Sequence, residues 1–153
     1  MPHCSQQDYR TFEAQRRLLY VGNDLALLKS LRTTFSKPEH HIVSCPDRLS
    51  AEMFIKSQIQ YQLFIFDIEM RDKASLDLTQ LVRSLEHRES LPSLVVGPEA
   101  EASRKEFTHK SRVHEYAQKE DHFLAIQKAI KRLLERSSKS LSTRLGSGTA
   151  LPS

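Results

Sequence analysis

Glycine is scarce in this sequence, with four residues among 153. That leaves no glycine-rich loop to cradle a phosphate with backbone N–H groups, and no Gly-x-Ser-x-Gly elbow to present a serine nucleophile. Cysteine is scarcer still, with Cys4 and Cys45 alone and far apart. Two such residues make neither a disulfide framework nor a zinc site, and they read as free thiols of a reducing cytoplasm. No apolar run approaches the roughly 20 residues that span a bilayer. The first stretch, MPHCSQQDYRTFEAQRR, has no apolar segment of the secretory kind. The seven histidines show no ligand spacing: His40 and His41 are adjacent, while His87, His109, His114 and His122 fall on different predicted elements.

Charge of one sign is also lacking where a fold would carry it. The net charge is +4. Residues 1–17 place Arg10, Arg16 and Arg17 against Asp8 and Glu13, and residues 137–153 hold Lys139 and Arg144 without a carboxylate, so +1 remains for residues 18–136. The basic excess sits in the ends of the chain, and a phosphate-tracking basic face is not supported. Neither nucleic acid nor a membrane is expected as a partner.

What is present suits one soluble domain, with 39% apolar and 27% charged residues. Residues 1–16 are polar and aperiodic and read as an arm. Residues 17–136 form the predicted domain, and the Ser, Thr, Gly and Pro content of residues 137–153 predicts a disordered tail. Leu18 to Val21 predicts a short strand ending at Gly22-Asn23-Asp24, and Leu27, Leu28, Leu31 and Phe35 recur at helical spacing from about Asp24. Lys37-Pro38 breaks that helix, His41 to Cys45 predicts a second strand, and Pro46-Asp47 turns into a helix burying Ala51, Phe54, Ile55 and Ile59.

The stretch YQLFIFDIEM, residues 61–70, then supplies the apolar run Leu63 to Phe66, which stops at Asp67. A strand buried on both faces reads this way, as in a parallel sheet between helix layers. A carboxylate at its carboxyl end is either a cap of the next turn or a working residue, since open α/β sheets bind ligands at that edge. A loop from Glu69 to Ser75 leads to a helix carrying Leu78, Leu81, Val82 and Leu85 on one stripe. Ser93 to Val96 is a fourth strand stopped by Gly97-Pro98, and Ser103 with Glu106 forms a capping box for a further helix. Val113 to Gln118 reads as a polar edge strand, and Asp121 is placed to cap a last helix with Phe123, Ile126, Ile130, Leu133 and Leu134. Five strands alternating with five helices predict an α/β fold, a doubly wound five-stranded parallel sheet of flavodoxin-like (βα)5 type with strand order 2-1-3-4-5. The ends of strands one, three, four and five then bring together Gly22-Asn23-Asp24, Asp67, Gly97-Pro98 and Lys119.

At residues 17–136 the chain resembles the receiver domain of bacterial two-component response regulators, the CheY-like superfamily. The resemblance rests on a strand-ending Asp67, on Tyr116-Ala117-Gln118-Lys119 as an aromatic-x-x-Lys motif, and on spacing. Asp67 follows Asn23 by 44 residues and precedes Gly97 by 30 and Lys119 by 52. The resemblance implies that Asp67 is a candidate phosphoacceptor for a histidine kinase, with Mg²⁺ held beside it. It also implies a phosphate contact from Lys119 and from the residue at Gly97, and a role for Tyr116 in the switch and its partner surface.

The pattern is broken where the chemistry is most demanding. Gly22 and Asn23 stand at the acidic pair, Gly97 at the hydroxyl, and Pro98 and Glu120 replace the small residue and the proline that the family carries. Magnesium is held by oxyanions and waters, so the metal candidates Asn23, Asp24, Asp67 and Glu69 make a weakened set. Glu69 can approach a metal or pair with Lys119, and the pairing is the favoured expectation. The reading that follows is an atypical receiver in phosphorelay signalling, without enzymatic activity, acting as a protein-interaction module with weak or no phosphorylation. A histidine kinase or another signalling protein is its expected partner, and the face of the fourth helix, fifth strand and fifth helix its expected dimer surface. The alternatives are a working receiver phosphorylated at Asp67 with Mg²⁺ and, last, a flavodoxin-like binder of an organic cofactor. The short acidic turn at Gly22-Asn23-Asp24 argues against the latter.

Overall fold

A computed structural model of the chain describes residues 16–36, 38–70, 74–98 and 115–150, with side chains described as far as Arg136. Five strands form one sheet: β1 (Arg16–Val21), β2 (His40–Cys45), β3 (Leu63–Asp67), β4 (Ser93–Gly97) and β5 (Glu115–Gln118). All neighbouring pairs are parallel and the spatial order is β2-β1-β3-β4-β5. Among the described residues four helices accompany them: α1 (Leu25–Thr34), α2 (Arg48–Lys56), α3 (Ala74–Ser84) and α4 (Glu120–Ala150). The helix expected from Ser103 lies outside the described residues, as do most of the N-terminal arm and the start of the fifth strand at Val113.

Successive strand residues point to opposite faces, so an unbroken apolar run serves two cores at once. Leu18, Tyr20, Leu63, Ile65, Leu94 and Val96 face α1 and α4, where Leu27, Leu31, Ile126 and Ile130 complete one cluster. Leu19, Val21, Phe64, Phe66 and Val95 face α2 and α3, where Ala51, Ile55, Leu78 and Val82 complete the other. β3 lies at the centre and is buried along its whole length.

The helices start where short polar side chains can satisfy free N–H groups. Asp24 caps α1 by accepting from Leu27 N, and Asp47 caps α2 by accepting from Ser50 N. α2 ends earlier than its apolar spacing suggests. Its C-cap is Ser57, and Ile59 lies beyond it, partly exposed. The Ser57 hydroxyl bonds the Phe54 carbonyl and draws the chain out of the helix. Leu85 likewise falls just past α3, packed against the second cluster rather than on the helix.

The C-terminal helix departs from expectation at both ends. Asp121 does not sit as a regular cap: Asp121, His122 and Phe123 adopt left-handed backbone angles with φ of 56°, 54° and 64°. Beyond Arg136 the backbone stays helical to Ala150, where a disordered tail was expected from residue 137. No proline intervenes before Pro152, and a helix already nucleated by packed turns extends one residue at a time without a new nucleation cost.

Candidate functional site

The carboxyl ends of β1, β3, β4 and β5 meet beside the point where the strand order reverses between β1 and β3. Asp67, the last residue of β3, is 1% exposed. Register places Tyr20 opposite Ile65, so Tyr20 and Asp67 share a face and lie diagonally across the β1–β3 pair. The Tyr20 hydroxyl donates to Asp67 Oδ2 at 2.9 Å and accepts from the Asp24 backbone N–H at 3.2 Å.

Lys119 enters from the end of β5, its backbone N–H bonded to the Gly97 carbonyl at 2.9 Å. Its ammonium lies 2.8 Å from Asp67 Oδ2, 3.1 Å from Asp24 Oδ2 and 3.2 Å from Glu69 Oε2. Three carboxylates therefore surround one ammonium. Burial works to depress the Lys119 pKa, but the bonds to Asp67, Asp24 and Glu69 outweigh it and hold the group above its ordinary value. Burial works against ionisation of Asp24 too, yet the Leu27 N–H and the Lys119 ammonium keep its carboxyl below its ordinary value. For Tyr20, burial and then the Asp67 charge both push the phenol well above its ordinary value, so it remains a neutral donor.

The other oxygen of Asp67, Oδ1, accepts from the Glu69 backbone N–H at 3.0 Å. The Asp67 carbonyl accepts from the buried Ser75 hydroxyl, which ties the start of α3 to the end of β3. Every side-chain oxygen of Asp67 is thus engaged by the protein itself.

The remaining candidates fall around this group. Glu69 is mostly exposed, with its carboxylate on Lys119, and Asn23 is exposed at the turn after β1. Gly97 is buried at the end of β4. A Cβ there would lie 2.5 Å from Ile68 Cγ1 and 2.7 Å from the Tyr116 hydroxyl. Tyr116 points along that edge and donates to the Pro98 carbonyl at 2.8 Å.

In the sequence Tyr20 looks like one more apolar strand residue, and its place in the site emerges only from the fold. Strand parity carried the signal: Tyr20 lies two residues before Gly22 on the face that leads to Asp67, and a buried phenol needs a partner. The sequence puts Ser75 at the end of a loop, whereas it lies in the first turn of α3.

No family model and no curated protein matches the sequence. Solved structures do match in fold. A CheY-like response regulator receiver domain protein from Methanospirillum hungatei superposes with a TM-score of 0.68 at 19% identity, covering 82% of this chain and 98% of that one. A response regulator receiver protein from Pseudomonas putida gives 0.64 at 19% identity, over 80% and 98%. The response regulator TrrA from Thermotoga maritima, in complex with Mg²⁺–BeF, gives 0.63 at 18% identity, over 78% and 99%.

A magnesium ion implied by that fold does not fit the residues present. Asp67 Oδ2 already takes a phenol and an ammonium, Asp24 divides its oxygens between the α1 N-terminus and Lys119, and Glu69 is turned onto the same lysine. Among the described residues no group of three His, Cys, Asp or Glu side chains is disposed to hold a metal. None of the described helices is long and apolar enough to cross a membrane. The chain has the fold of CheY-like response-regulator receiver domains, with a lysine and a tyrosine closing its central carboxylate.

Proposed function

We propose that this chain is an atypical receiver domain of two-component phosphorelay signalling that works as a protein-interaction module, with weak or no phosphorylation of Asp67. The observation that carries the proposal is the internal occupation of the Asp67 carboxylate by Tyr20, Lys119 and the Glu69 N–H. A carboxylate nucleophile must offer a free lone pair to phosphorus, which Oδ2 with two donors lacks and only Oδ1 retains, and the incoming dianion must be met by positive charge. Here a phosphoryl group would approach three carboxylates with a single ammonium between them. The partner is a histidine kinase or another signalling protein, recognised on the face that includes β5 and Tyr116, the same face serving a second copy in a homodimer.

A second reading has one observation in its favour. The Asp67–Lys119 pair at 2.8 Å is what a phosphate-accepting pocket would keep, and it supports a receiver phosphorylated at Asp67 with Mg²⁺. Incubation with acetyl phosphate and Mg²⁺, followed by intact-mass measurement, separates the two. The expected result is no stable gain of a phosphoryl group. A gain that disappears in Asp67→Asn would establish the second reading instead.

A further inference from the structure

Two buried glycines stand at the carboxyl edge of the sheet, and a tyrosine hydroxyl lies over each. A Cβ on Gly22 would come 2.5 Å from the Tyr20 hydroxyl and 2.7 Å from Asp67 Cβ. A Cβ on Gly97 would come 2.7 Å from the Tyr116 hydroxyl. Neither glycine has a positive φ, so the backbone at both positions is one that any residue adopts. The neighbours, and not the dihedrals, demand glycine.

The two tyrosines differ in how firmly they are held. Tyr116 is half-buried on an edge strand, whereas Tyr20 is 0% exposed, inside the cluster formed with Leu18, Ile65 and Leu27. Tyr20 cannot swing aside without unpacking that core. Its hydroxyl hydrogen shares Asp67 Oδ2 with the Lys119 ammonium, so that oxygen carries two donors.

We propose that Tyr20 and Gly22 act as a coupled pair that closes the pocket to divalent cations, the phenol filling the side of Asp67 Oδ2 that the Lys119 ammonium leaves open. The proposal rests on the reading of the pocket as a modified receiver site. A carboxylate at position 22 would restore an oxyanion next to Asp67, but its Cβ would meet both the Tyr20 ring and Asp67 Cβ, so it enters only when the ring is gone and the end of β3 gives by a few tenths of an ångström. Cation binding therefore returns only when both positions change together: a smaller residue at 20 and an acid at 22. Tyr20→Phe is insufficient, because the ring carbon Tyr20 Cζ would itself lie 2.7 Å from the new Cβ.

The test uses the full chain and Mn²⁺ as the probe, followed by loss of the free-ion paramagnetic resonance signal. Wild type, Gly22→Asp and Tyr20→Leu are expected to show no saturable site, and the double variant to bind at least roughly tenfold more tightly than either single one. Binding by Gly22→Asp alone as tight as the double variant would overturn the proposal, and so would a folded double variant no tighter than wild type. Thermal melts give an answer that needs no cation and no acidic variant. Gly22→Ala is expected to lower the Tm by about 4 °C or more beside Tyr20 and by clearly less in the Tyr20→Leu background, where only the contact with Asp67 Cβ remains. An equal loss in both backgrounds would dismiss the coupling. A phosphoryl gain by wild type would defeat the proposed function and leave these melts to judge the tyrosine–glycine pair on its own.

Discussion

Lys119 and Arg88 are both removed from solvent, at opposite edges of the sheet, and the protein neutralises them in unlike ways. Lys119 at the carboxyl edge meets three carboxylates. Arg88 follows α3 at the amino edge, where α2 ends and β4 is about to begin, and is 2% exposed. It donates to the carbonyls of Ile55 at 3.0 Å and Ser57 at 2.8 Å, while its guanidinium lies over the rings of Tyr61 at 5.1 Å and Phe64 at 5.6 Å. Helix-end carbonyls and ring faces supply partial negative charge that is fixed by the backbone and the core. A cation held so can do nothing except hold the fold. A cation held by three ionisable side chains can be rearranged by changing any one of them, and that is the mark of a site.

The comparison can be broken most severely at Arg88. Arg88→Ala removes the capping bonds and the stacked guanidinium together, and we expect a loss of about 3 kcal/mol in urea unfolding with the Asp67 pocket undisturbed. Lys119→Met strands a buried carboxylate, and a loss of about 2 kcal/mol at neutral pH is expected by the same measurement. Tyr20→Phe keeps the ring and deletes one buried donor, for about 1 kcal/mol. Glu69→Gln touches a 55% exposed partner, and solvent screening keeps the expected change under about 0.5 kcal/mol.

Acidity sharpens the same contrast. The Asp24 carboxyl lies below its ordinary value of 3.8, so its contribution is present above that pH and is lost as the pH falls through the lower folded value. Lys119 lies above its ordinary 10.5, so its contribution holds below that pH and fades as the pH rises through the higher folded value. Melting temperature against pH should therefore fall away at both extremes in wild type. In Lys119→Met the lysine part of the alkaline fall should be absent, and in Arg88→Ala both limbs should persist.

The amount legible in the sequence divides along similar lines. β3 was readable because an apolar run that ends in a carboxylate has few other uses, and the strand order followed from the alternation of elements. Asp67 and Lys119 were found through a spacing of 52 residues that only the folded sheet makes into 2.8 Å. Tyr20 was hidden because its ring belongs to the core and only its hydroxyl belongs to the pocket, a division that residue type does not reveal. Arg88 was hidden for a similar reason: its partners are carbonyls, and carbonyls have no sequence. Residues 137–150 read as disordered because composition reports average tendency, while the helix that reaches them is started by Ile126, Ile130, Leu133 and Leu134 in the core.

The helix that begins beside Lys119 has one mechanical consequence. Past the left-handed turn at Asp121, His122 and Phe123, the 27 residues from Leu124 to Ala150 make a regular helix roughly 40 Å long, over twice the roughly 17 Å of a five-residue strand. Its described packing against the sheet runs only from Phe123 to Leu134. It is a lever with its fulcrum in the core, joined to Lys119 through the left-handed turn, so a small tilt of its packed turns becomes a wide sweep at the far end.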